Sequence, residues 1–325
     1  MTNKDKYGGI MTADLSKIQR LIILFGVLSV AAAGWSFLYS MDSNMKNMSG
    51  MGMNMEMDKS MGDMQMDKSM GDMEMDKSMG DMKMDKSMGD MKMDKSMGEK
   101  TWLPNTYWMP PMNNIWSFND FYQLFVMWAI MMIAMMSPSI VGSVLMYAKV
   151  NKAKIEQGLQ YTPTFIFYFG YLIAWVIYSL VISIIQYPLQ LEALMNPMLA
   201  SVSQTLSAIV LIIAGIYQFT PYKNACLDKC RSPLSLIMAQ WQDGPLGALK
   251  MGLSNGFYCV FCCWFLMAIL LVAGVMNMTF VVILTLFVLL EKLLPVPDSM
   301  ESLYFKVITT VPGILLIAWG ISFLI

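Results

Sequence analysis

Apolar and charged positions fall into long separate blocks along this chain. No charged residue occurs between Phe121 and Tyr147, and none between Thr164 and Gln186. A run of about 20 apolar residues is enough to span a bilayer. Seven such runs are present: Leu21–Tyr39, Phe121–Tyr147, Phe165–Gln186, Leu199–Phe219, Leu253–Val275, Phe280–Leu294 and Val307–Leu324. The sixth is short, with Glu291 and Lys292 near its end. The pattern predicts an all-α polytopic transmembrane helix bundle of about seven spans. A composition of 56% hydrophobic and 14% charged residues excludes a soluble globular domain.

Basic residues set the expected orientation. Lys4, Lys6, Lys17 and Arg20 precede the first run, which puts the N-terminus in the cytoplasm by the positive-inside rule. Lys149, Lys152 and Lys154, then Lys223, Lys229, Arg231 and Lys250, then Lys292 and Lys306 fall on the same side. The short outer segments, Pro188–Met198 and Met276–Met278, carry no Lys or Arg. Three parts follow: 1–40, a cytoplasmic N-terminus and first helix; 41–118, an extracytoplasmic loop; and 119–325, a six-helix membrane core. The expected location is the cell membrane. Lys17 and Arg20, an apolar stretch and then Ala31-Ala32-Ala33 also resemble a signal peptide. Cleavage there leaves six spans and the same loop outside.

That loop holds the most unusual pattern in the chain. Five tandem nine-residue copies run from Met55 to Glu99, each reading Met-x-Met-Asp-Lys-Ser-Met-Gly-Asp/Glu. The first copies place Met55, Met57, Met61, Met64, Met66 and Met70 at spacings of two, three and four residues. The copies lack aromatic and β-branched residues, so they bury too little surface to offset chain entropy, and a disordered loop is expected. Partial helix is open to it, since Met, Lys and Glu are good helix formers. A plain spacer is the alternative reading, but Ser, Gly or Glu provide length without oxidisable thioethers. The chain has 38 methionines and no histidine. Soft sulfur without imidazole favours Cu(I) or Ag(I) over zinc or Cu(II). Acidic residues outnumber basic ones in the first three copies, a mild field for cations.

Trp102, Tyr107, Trp108 and Trp116 then suit the membrane interface, and Met109-Pro110-Pro111-Met112 is a rigid turn, either a simple loop or a place to pass metal on. In the second run Met127, Met131 and Met135 share one helical face, and Met132 and Met136 another. Pro138 is expected to kink the helix just beyond them. Methionine also fills gaps between packed helices, so packing is the competing reading. Cys226-x3-Cys230 falls in an expected loop after the fourth run. Cys259, Cys262 and Cys263, followed by Met267, fall about two turns into the fifth, where the three sulfurs can converge on one face. A cytoplasmic-side position keeps them reduced; the competing reading makes them small hydrophobes. Leu234–Gly252 can fold back as a short interfacial helix and let the two cysteine groups meet.

Four strings in order carry a resemblance: Trp128-x2-Met131-x2-Ala134-Met135-Met136-x-Pro138; Lys223-x2-Cys226-Leu227-x2-Cys230-Arg231-x-Pro233; Gly252-x3-Gly256-x2-Cys259-x2-Cys262-Cys263-Trp264-x-Leu266-Met267; and Glu291-Lys292. Over about 120–325 the chain resembles a prokaryotic domain-of-unknown-function family of metal-binding integral membrane proteins. The resemblance implies a metal-binding core with Met135, Met136, Cys226, Cys230, Cys259, Cys262 and Cys263 as candidate positions, and it makes the methionine repeat an addition. The expected function is capture of Cu(I) outside, followed by transport or delivery to a cuproenzyme, with no catalytic role. The alternatives are a structural subunit of a copper-dependent membrane oxidase or monooxygenase, and a membrane thiol oxidoreductase. Expected partners are the lipid bilayer, copper ions and a copper enzyme or copper chaperone, and no nucleic acid.

Overall fold

The computed structural model describes residues 15–66, 116–158, 162–192, 203–275, 277–293 and 301–324; at 45, 47–66 and 301–309 the backbone alone is described. Among these residues every regular element is a helix.

The first helix, α1 (Lys17–Met66), is continuous, and its portion Lys17–Asn44 is long and apolar enough to cross a membrane. The helix runs on through Met55, Met57, Met61, Met64 and Met66, so the start of the repeat takes the helical option open to it rather than the disorder otherwise expected. The cause is cooperativity: a helix already nucleated gains one hydrogen bond for each residue added, and Met, Glu, Lys and Gln propagate it well. Met70, the later copies and Met109-Pro110-Pro111-Met112 lie outside the described residues.

Ser117 and Asp120 open α2 (Phe118–Glu156) with a reciprocal capping box. Ser117 N donates to Asp120 Oδ2 at 2.9 Å, and Asp120 N donates to Ser117 Oγ at 3.4 Å. Next come α3 (Thr164–Leu191), α4 (Gln204–Gln218) and α5 (Pro221–Arg231), with a bend of 64° between the last two. After α6 (Pro233–Ala239) the chain enters α7 (Gly244–Ala268), continues in the single turn α8 (Leu270–Ala273), and reverses at Gly274, whose φ of 91° suits glycine. The last two helices are α9 (Met278–Leu293) and α10 (Glu301–Ser322).

Four helices are long and apolar enough to cross a membrane, or five if α4 and α5 form one bent span, among the described residues. The expected sixth run is α9, whose 16 residues extend only about 24 Å, less than a hydrocarbon core of about 30 Å.

Small residues let the central helices approach. A Cβ on Gly34 of α1 would stand 2.8 Å from the Ala134 Cβ of α2. Gly252 of α7 meets the Phe167 carbonyl of α3, and a Cβ on Gly256 would stand 2.6 Å from the Ala174 Cβ. Small residues at such crossings let two helix backbones pack closely. The close α3–α7 contact sets the position of the cysteines.

Two expectations about those cysteines change. Cys226 and Cys230 lie on α5, a helix rather than a loop, because Thr220 caps it through a side-chain bond to Lys223 N (3.4 Å) and Pro221 supplies its first residue. Cys259 lies fifteen residues into α7 rather than two turns in, because Gly244-Pro245 starts that helix earlier than its apolar run begins. The link before α7 is the short α6, so the two cysteine groups meet as α5 against α7.

Candidate functional site

Four of the five cysteines come together. Cys262 Sγ lies 3.1 Å from Cys263 Sγ and 4.0 Å from Cys230 Sγ, and it donates to the Cys259 carbonyl at 3.1 Å. Cys230 also interacts with Cys259. Cys226 stands one turn earlier on α5, partly exposed, with no sulfur contact among the described residues. All five are free thiols. Cys259, Cys262 and Cys263 are buried, while Cys230 is partly exposed.

Tyrosines from neighbouring helices fix α7 around this cluster. Tyr178 OH donates to the Trp264 carbonyl at 2.9 Å, and Tyr217 OH donates to the Phe261 carbonyl at 2.5 Å. Tyr171 OH lies 3.0 Å from Cys259 Sγ and 3.2 Å from Ser139 Oγ, and it donates to the Met136 carbonyl at 3.3 Å. One phenol on α3 therefore joins the methionine stretch of α2 to the cysteines of α7.

The sequence reading missed the charged groups. Lys292 Nζ donates to Cys259 Sγ at 2.7 Å and to Ser139 Oγ at 3.4 Å. Its neighbour Glu291 points the other way and pairs with Lys223 of α5, both side chains fully buried. Lys223 also donates to Gln218 Oε1. Arg231 Nε and Nη2 donate to the Glu291 carbonyl at 2.9 and 2.5 Å. The orientation expected from sequence treats Lys223 and Lys292 as loop charges, whereas both turn inward. The signal was present in the Glu291-Lys292 pair itself, since a charge inside an apolar run marks a working site more often than a weak span.

Between these groups lies a small cavity of about 10 Å³, lined by Ser139, Tyr171, Cys230, Asn255, Cys259 and Lys292, among others. That is room for about one water- or ion-sized occupant. Asn255 is buried, and its Oδ1 has no hydrogen-bond partner. An orphaned acceptor beside an empty volume is the ordinary mark of a place for a ligand or water.

No group of three or more His, Cys, Asp or Glu side chains among the described residues forms a ready-made cage for a metal ion. The thiols bond to one another and to backbone instead. Two sulfurs sharing an ion at about 2.3 Å stand about 3.8 to 4.6 Å apart, from tetrahedral to linear geometry. The Cys230–Cys262 separation of 4.0 Å falls in that range, and the Cys262–Cys263 separation of 3.1 Å does not. Cys262 and Cys263 as they stand are too close to share one ion, whereas sulfurs from the two helices can be spaced for it, and the donor set suits a soft cation.

Met131, Met135, Met136 and Met267 are all fully buried. So are Met127 and Met132, and burial on both faces is what packing also requires. Side chains of Met55, Met57, Met61, Met64 and Met66 are not described, and Met70 lies outside.

Fold and site define an all-helical protein, with several helices long and apolar enough for a membrane, built around a buried cluster of thiols beside an ammonium. Residues 125–323 match the model of the PpoB2 family, described as a copper chaperone, and the chain belongs to that family. The match begins after the methionine repeat and covers all five cysteines. No curated protein and no solved structure matches the chain.

Proposed function

We propose that this protein is a membrane copper chaperone that collects Cu(I) outside the cell, holds it at the thiol cavity, and transports it or hands it to a copper-dependent enzyme. In this reading the chain crosses the membrane seven times, with its N-terminus in the cytoplasm and the methionine repeat outside. It acts as a carrier and performs no catalytic step. Thioethers of the repeat raise the local ion concentration, and Met131, Met135 and Met136 lead inward to Cys230 and Cys259, with Cys262 and Cys263 behind.

One observation carries the reading: thiols from two separate helices, Cys230 on α5 and Cys259 on α7, line a cavity of ionic size. Membership of a copper-chaperone family supports copper as the cargo. Thiol and thioether donors favour its monovalent state. Binding replaces each thiol proton with the metal bond and releases that proton to water.

The test is a chelator titration of the full-length protein with Ag(I), a redox-inert stand-in for Cu(I). The wild type should hold one ion more tightly than the rest, and the Cys230→Ser/Cys259→Ser variant should lose it. Identical titrations for the two proteins would remove the thiol cavity as the ion site.

A further inference from the structure

We propose that Lys292 is the fixed counter-charge of a two-thiolate site and makes that site prefer a monovalent ion to a divalent one. The inference rests on the function proposed above and names what the cavity selects. Lys292 Nζ lies 2.7 Å from Cys259 Sγ and lines the same cavity as Cys230. Among the described residues it makes no ion pair with a carboxylate. The adjacent acid, Glu291, is engaged by Lys223 on another side of α9, as neighbours about 100° apart on a helix require. The remaining wall groups near the ammonium are neutral: the hydroxyls of Ser139, Ser143 and Tyr171, and the amide of Asn255.

Charge counting then discriminates between ions. A monovalent ion binds two thiols with loss of two protons to water, giving a complex of charge −1. The ammonium brings the ensemble to zero, with no change of oxidation state. A divalent ion on the same two thiolates is already neutral and leaves the ammonium without a partner in a buried site, which is strongly disfavoured. A protonated Lys has no lone pair for the metal, so it sets the charge without becoming a ligand. Lys292 is therefore a specificity-determining residue acting through Cys259.

The experiment compares Ag(I) and Zn(II) affinities of the full-length protein by chelator competition, reading the ion that depends on Cys230 and Cys259. Lys292→Met and Lys292→Gln, one apolar and one polar, should each lower the Ag(I)-over-Zn(II) preference by at least about tenfold, the scale expected for one unit charge a few ångströms away. Lys292→Arg keeps the charge and should keep most of the preference. General damage to the site weakens both ions and leaves their ratio, so the ratio separates charge from structure. An unchanged ratio in both neutral variants overturns the inference while the thiol site stands. A wild type with no thiol-dependent Ag(I) overturns the function proposed above, and this inference with it.

Discussion

Between Met127 and Met136, α2 carries five methionines, none more than 2% exposed; between Cys259 and Cys263, α7 carries three cysteines, none more than 3% exposed. Both stretches are soft sulfur in a buried core, yet their surroundings differ. The methionines lie among Leu124, Trp128, Ala134 and Ile140 in the hydrophobic core. Their polar link across to α7, among the described residues, runs through the Met136 carbonyl and Tyr171 rather than through a thioether. The cysteines touch an ammonium, a phenol and one another, beside a cavity with an orphaned amide oxygen. Burial alone does not tell ligand from filler; the polar partners around the sulfur do. By that criterion the thiols are the stronger candidate site, and the methionines stand or fall on a test of sulfur itself.

The largest effect should come from the thiols. In the wild type, Ag(I) should protect Cys230 and Cys259 from an alkylating reagent, read by mass spectrometry, while Cys226, with no sulfur contact among the described residues, should alkylate with or without the ion. A disulfide among Cys259, Cys262 and Cys263 in protein taken from cells would favour the thiol oxidoreductase reading instead. Next comes the buried ion pair. Glu291→Gln removes the counter-charge of Lys223 at zero exposure, which should cost about 3–5 kcal/mol in thermal or denaturant unfolding. Lys223→Met/Glu291→Leu should recover most of that loss. A single variant as stable as wild type would show that the pair contributes little.

The expectations that held and those that failed separate along physical lines. Apolar run length located α1, α2 and α3, and their ends moved outward because flanking segments such as Ala148–Glu156 are also good helix formers. The helix starts at Pro221 and Gly244-Pro245 were missed because Pro and Gly read as breaks, although Pro is also favoured in a helix's first turn. The convergence of Cys259, Cys262 and Cys263 was legible from helical spacing. Their meeting with Cys230, and the roles of Tyr171, Asn255 and Lys292, depend on contacts between helices far apart in sequence, which no local period encodes.

Two smaller effects bear on the methionines. Met135→Leu/Met136→Leu keeps volume and apolarity and should cost less than about 1.5 kcal/mol. If these thioethers relay the ion, copper-dependent growth of cells should fail even at high copper; growth equal to wild type across the series would make them packing residues. Deleting 55–99 should do least. The protein should still insert, since no apolar run lies there, and copper handling should weaken only when copper is scarce, because the repeat contributes local concentration. Equal performance at every copper level would reduce the repeat to a spacer.

X-ray absorption on full-length protein carrying one equivalent of Cu(I) tests the thiol cavity most directly. The metal should show two sulfur neighbours at about 2.3 Å, and that signal should be lost in Cys230→Ser/Cys259→Ser. The same sulfur environment in the variant would put the ion elsewhere in the chain and contradict the assignment of the cavity.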